Sequence, residues 1–81
     1  MLKIKANIAI SDTGFVFNPS TGDSFTLNPT GLELLRMIHQ AKNEDEITAH
    51  FTEKYDVDVQ TFERYYVDFT SMLRQMELTE E

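Results

Sequence analysis

Two histidines, His39 and His50, are the only imidazoles in the chain, and neither stands in a spacing that builds a site. No H-x-x-x-H or H-E-x-x-H pattern seats two rings on one helical face, so no zinc centre is expected. His39 falls near the end of a predicted helix, where the dipole favours a cation. His50 precedes Phe51 and is expected to border solvent without a partner. Glu44, Asp45 and Glu46 are consecutive, and consecutive helical residues diverge rather than converge on one ion. Asp12 and Asp23 border turn glycines, which is ordinary turn chemistry. No nucleophile elbow, P-loop or dinucleotide fingerprint is present. With no nucleophile beside a base, the expectation is a protein that is not an enzyme and carries no metal or cofactor.

Two stretches have the chemistry of binding instead. Ser24, Phe25, Thr26 and Leu27 form the third of three predicted strands. If that strand is a sheet edge, its unpaired backbone groups are a template for another strand, and Ser24 and Thr26 do little to block the approach. On the third predicted helix, Tyr65 and Met72 form a seam with Asp68 near them. Aromatic and thioether side chains at a groove rim suit the apolar anchors of a peptide. The competing reading is that Tyr65 and Met72 only complete the core.

The elements that position these residues follow from periodicity. Leu2, Ile4, Ala6, Ile8 and Ile10 alternate with Lys3, Lys5, Asn7 and Ala9, which predicts a first strand with one buried face. Ser11-Asp12-Thr13-Gly14 is a turn, and Asn18-Pro19-Ser20-Thr21-Gly22 is another. Between and after them, 15–18 and 23–27 read as strands, with Phe15 and Phe17 on one apolar face and Ser24 and Thr26 pointing away from Phe25 and Leu27. Short connections make the three strands an antiparallel meander with the first and third at the edges.

Asn28 caps a helix over 29–40, with Pro29 at its first position and Leu34, Leu35, Ile38 and Ala41 on its buried face. Gly31 in its first turn predicts close packing against a neighbour. Asn43 and Glu46 form a capping box for a second helix, whose apolar face is Ile47, Phe51 and Tyr55. Asp58 caps a third, over about 59–76, striped by Phe62, Tyr66, Phe69, Leu73 and Met76. The tail from Glu77 to Glu81 is expected to fray. Three strands followed by three helices predict an α+β fold of winged-helix type.

Length and charge bound the rest. The 81 residues make a single domain spanning 1–81, too small for a deep enclosed site. The sequence lacks cysteine, so it has no disulfide framework, in keeping with a cytoplasmic protein. No apolar run approaches membrane-spanning length, and the amino terminus alternates rather than forming a signal-peptide core. Fourteen acidic residues oppose seven basic ones, giving a net charge of −7. That excess opposes binding to nucleic acid and to anionic membranes.

The ordered set of motifs resembles the PqqD-like family, named for a protein of pyrroloquinoline quinone biosynthesis, and the related recognition domains of ribosomally made, modified peptides. The matching pieces are Phe17 to Asn28 followed by Thr30-Gly31, then Asp45-Glu46-Ile47 through Phe51 to Glu53-Lys54-Tyr55-Asp56-Val57-Asp58, then Asp68-Phe69 with Leu73 and Leu78. The resemblance implies a non-catalytic peptide chaperone. The leader of a precursor peptide would add as a strand beside Ser24, Phe25, Thr26 and Leu27. Its side chains would enter a groove lined by Tyr65, Asp68, Phe69 and Met72, with Asp68 meeting a basic residue. The domain would present the peptide to a modifying enzyme, such as a radical S-adenosylmethionine protein. Two other readings stand beside it. One is an oligomerisation or scaffold module, a homodimer through the same strand edge. The other is a nucleic-acid-binding winged helix, disfavoured because its recognition helix sets Arg64 and Arg74 against Glu63 and Asp68.

Overall fold

The computed structural model describes residues 2–80. Three short strands, β1 (Ala9–Ile10), β2 (Phe15–Asn18) and β3 (Asp23–Thr26), form an antiparallel sheet in that order. Three helices follow, α1 (Pro29–His39), α2 (Glu44–Tyr55) and α3 (Val59–Gln75). This is the α+β order that the pattern predicts.

Glycine chemistry sets the sheet. Gly14 turns the chain at φ 93°. A Cβ there would lie 2.4 Å from the Leu27 carbonyl oxygen, so no other residue fits without moving the backbone. The second turn closes when Gly22 N–H donates to the Asn18 carbonyl at 2.8 Å. Val16 then pairs with Ile10 on one side and Phe25 on the other. All three point at the helices, where Val16 is fully buried.

The partition of the β2 side chains departs from expectation. Period two correctly places Phe15 and Phe17 on one face, but it is the outer face, and they are 45% and 36% exposed. The helices cover only one side of the sheet, and the 15–26 and 17–24 register sets both rings beside exposed Thr26 and Ser24. Asn18, on the inner face, is buried because its side chain is used twice. Its Oδ1 accepts from Ser20 N–H, and its Nδ2 donates to the Glu77 carbonyl.

The predicted strand over 2–10 is broken. A turn at Ala6 and Asn7, closed by Ile8 N–H to the Lys5 carbonyl, leaves only Ala9–Ile10 in the sheet. Ile4 and Ile8 are buried as their spacing requires, but Ala6 is exposed. Residues 3–5 pair instead with the end of the chain. Lys5 N–H donates to the Leu78 carbonyl and Glu80 N–H to the Lys3 carbonyl, both at 2.9 Å, around a bridge between Ile4 and Thr79. The tail expected to fray is therefore anchored through Glu80, with Leu78 buried; Glu81 lies outside the described residues.

The helix starts follow the capping logic. Asn28, Asn43 and Asp58 each accept a first-turn N–H, and Asn43 and Glu46 complete a reciprocal box. Each helix is followed closely by a non-glycine residue in the left-handed region, Ala41, Asp56 or Glu77. Ala41, expected on the buried face of α1, lies beyond the helix and is exposed, because the chain has turned left-handed there. Leu34, Leu35, Ile38, Ile47, Phe51, Phe62, Phe69 and Leu73 join the buried sheet residues in one core. Among the described residues no helix is long and apolar enough to cross a membrane.

Candidate functional site

β3 is the last strand of its sheet: β2 covers one side, and no described strand pairs with the other. The direction of its backbone groups follows from one bond. Leu27 N–H donates to the Gly14 carbonyl at 2.8 Å, which makes 14 and 27 a hydrogen-bonded pair. Antiparallel alternation then makes 16 and 25 another such pair. The groups of Phe25 and Leu27 face β2, and those of Ser24 and Thr26 face the open edge. The four predicted ladder residues thus divide. Ser24 and Thr26 present backbone donors and acceptors outward. Phe25 and Leu27 turn half-buried side chains towards the core instead.

Gly31 joins this strand to α3. A Cβ on Gly31 would meet Leu27 Cδ2 and Phe69 Cε1 at 3.5 Å, an ordinary contact distance, and the Asn28 Oδ1 cap more tightly at 3.2 Å, so this turn lies between the end of the strand and the middle of α3. Gly31 is buried as close packing requires, but the tight neighbour is its own helix cap and not the strand or α3. Phe69 is buried and forms a floor rather than a rim. Tyr65 stands beside it with ring centroids 6.0 Å apart, and Met72 lies half-buried against the same core. Asp68 is exposed. Burial pushes the Tyr65 phenol above its ordinary pKa, so at neutral pH it remains a hydrogen-bond donor. Beyond Leu27, an apolar cleft of about 320 Å³ opens between Thr30, Tyr55, Val57 and Tyr65, over Phe51 and Phe62.

A polar cluster that meets this cleft at Tyr55 escapes sequence reasoning. Glu33 on α1 accepts from Tyr55 OH at 2.6 Å and from Lys54 Nζ at 2.9 and 3.0 Å. Its other partner is His50, at 2.5 Å. The histidine predicted to lack a partner therefore has one, seventeen positions away on another helix. Burial alone would raise the Glu33 carboxyl, but hydrogen bonds from Tyr55, His50 and Lys54 outweigh it and hold its pKa at about 2. A carboxylate so fully engaged is a poor base, and its evident work is to clamp α1 against α2. Among the described residues, no three or more His, Asp or Glu side chains gather as metal ligands.

Comparison with known proteins is consistent with this geometry. Residues 14–78 match the family described as Coenzyme PQQ synthesis protein D (PqqD). A solved structure described as "TbiB1 in Complex with the TbiA(beta) Leader Peptide" is 30% identical with a TM-score of 0.85, over 96% of this chain and 94% of that one. No curated protein matches the chain.

Proposed function

The chain belongs to the PqqD family, and from that premise we propose that it is a peptide-binding accessory domain of ribosomally made, modified peptides. It captures the leader of a precursor peptide by strand addition to β3. The observation that carries this reading is the open edge itself. Outward backbone groups of Ser24 and Thr26 lie on the strand whose end, at Leu27, packs with Phe69 about Gly31, and Tyr65 stands beside Phe69. The TbiB1 structure, whose fold this chain shares, holds a leader peptide, which supports the same use here.

In this reading main-chain hydrogen bonds to Ser24 and Thr26 supply much of the affinity, and the groove supplies selectivity. Phe25, Leu27, Phe69 and Met72 shape the groove floor, and Tyr65 and Asp68 stand at its rim. Asp68 is placed to meet a basic side chain of the peptide. The peptide loses conformational freedom on binding, so affinity is moderate rather than extreme. The domain hands its peptide to a modifying enzyme in the cytoplasm, a radical S-adenosylmethionine protein being one such class, and does not itself catalyse. The same edge accommodates a second copy when no peptide is bound.

Calorimetric titration with the leader of a precursor peptide encoded beside its gene tests the reading. Thr26→Val, which keeps the N–H, should bind as wild type does. Thr26→Pro, which removes it, should not. Equal binding by all three proteins would exclude the β3 edge.

A further inference from the structure

The exposed phenylalanines of β2 belong neither to the core nor to the open β3 edge. Two aromatic rings on the outer face of a small sheet are an unusual exposure for a chain whose surface is otherwise rich in charge. The register places them in two cross-strand rows. Ala9, Phe17 and Ser24 form one, and Phe15 and Thr26 form the other. Ser24 and Thr26 are the last residues of these rows before the open edge. They are also the residues whose backbone groups face outward.

We propose that this outer face is a second selectivity surface for the bound peptide. The inference rests on the strand-addition reading. Peptide residues lying directly opposite Ser24 and Thr26 send their side chains to the same face as those residues. There they lie across the two small residues and reach the rings of Phe17 and Phe15. The peptide residue opposite Phe25 points the other way, into the groove beside α3. Large apolar or aromatic side chains are therefore selected at alternate, outward positions as well as at groove positions.

Spacing and area favour this occupant. An added strand lies about 4.8 Å beyond β3 and so roughly 10 Å from β2. Two long side chains facing each other span that gap when the residue between them is as small as serine or threonine. The two rings together leave on the order of 150 Å² exposed. A stable protein partner covers about 800 Å² on each side. The patch suits one or two side chains, and it is continuous with the edge on which the peptide lies.

Selection from a displayed random peptide library tests the inference, with the full chain and its F15S/F17S variant as separate baits. Neither ring belongs to the buried core, so the double substitution leaves the core residues in place. Ser24→Leu, which fills the gap from the β3 side, is the second variant. Peptides selected by the wild type should carry large apolar residues at alternate outward positions. Those selected by F15S/F17S should lose this preference and keep the groove-facing one. A wild-type-selected peptide should bind F15S/F17S about three- to tenfold more weakly, as expected for lost aromatic pairs. Replacing its outward aromatic residues by Ala should then cost nothing further on that variant.

Identical residue profiles for wild type, F15S/F17S and Ser24→Leu would overturn the proposal. So would an unchanged profile accompanied by conversion of a dimer to a monomer, which would give the face to a second copy. Retention of every peptide by Thr26→Pro, or recovery of no peptide by the wild type, would overturn strand addition and this inference with it. Loss of all peptides by Thr26→Pro alongside unchanged F15S/F17S profiles would overturn this inference alone.

Discussion

The chain treats two of its backbone edges differently, residues 3–5 and β3, while β1, the sheet's other outer strand, offers only the short edge of Ala9–Ile10. Residues 3–5, ahead of the sheet, are closed by the chain's own end through paired bonds to residues 78–80. β3 is closed on its β2 side only. An unpaired edge is a hazard that proteins usually cover, twist or charge. Here the first is covered, and the second displays Ser24 and Thr26, neither charged nor bulky. The fold can close an edge with its own chain, so the opening at β3 is a feature to explain.

Breaking the closed edge should be the costliest change. Leu78 is 1% exposed and lies in that ladder. Leu78→Ala should lower stability by about 2–4 kcal/mol, read as a fall in the denaturation midpoint. Peptide affinity measured well below that midpoint should stay near wild type, since Leu78 pairs with Lys5 and not with β3. A tail that merely frayed would show no such loss.

Breaking the open edge should do the reverse. Thr26→Pro should weaken peptide binding by at least about 30-fold, through a lost donor and added bulk, with little effect on stability. Phe25→Pro, one residue away, should unfold the sheet, because the Phe25 amide faces β2. If the two prolines behaved alike in both assays, the assigned alternation would be wrong.

These contrasts also mark where sequence reasoning reached its limit. The caps at Asn28, Asn43 and Asp58 were readable because capping is local chemistry written within four residues. The edge position of β3 was readable because short connections order strands in sequence. Which face of β2 is buried was not, since alternation groups Phe15 with Phe17 but cannot say where the helices lie. The break at Ala6 and Asn7 was hidden because Ile4 and Ile8 are buried on either side of the turn, as they would be in one strand. The anchoring of Leu78 and the His50–Glu33 contact join segments far apart in sequence, and no local pattern encodes them.

The Glu33 clamp sharpens the comparison, because it stabilises helices without touching either edge. Its carboxyl has a folded pKa of about 2 against an ordinary 4.5. A depressed carboxylate pKa contributes stability above the unfolded value, and the contribution disappears as pH falls through the folded one. Stability should therefore decline between about pH 4.5 and 2. Glu33→Gln should flatten that decline and cost on the order of 1 kcal/mol at neutral pH, after allowance for partial exposure. An unchanged acid profile in the variant would remove Glu33 from the clamp.

The smallest expected effect is at the helix ends. Ala41 sits at φ 63°, where a side chain is strained and glycine is not. Ala41→Gly should raise stability by up to about 1 kcal/mol, reduced by glycine's extra freedom in the unfolded chain. A loss in chemical denaturation would mean that the left-handed turn is not strained.

Residue-resolved amide hydrogen exchange, with and without a leader peptide encoded beside the gene, reads strand addition at β3 residue by residue. Strand addition predicts that the Ser24 and Thr26 amides slow on binding, while those of Phe25 and Leu27, already bonded to β2, change little. Binding that leaves Ser24 and Thr26 unprotected, or protects only the α1–α2 flank around Glu33 and His50, would contradict it.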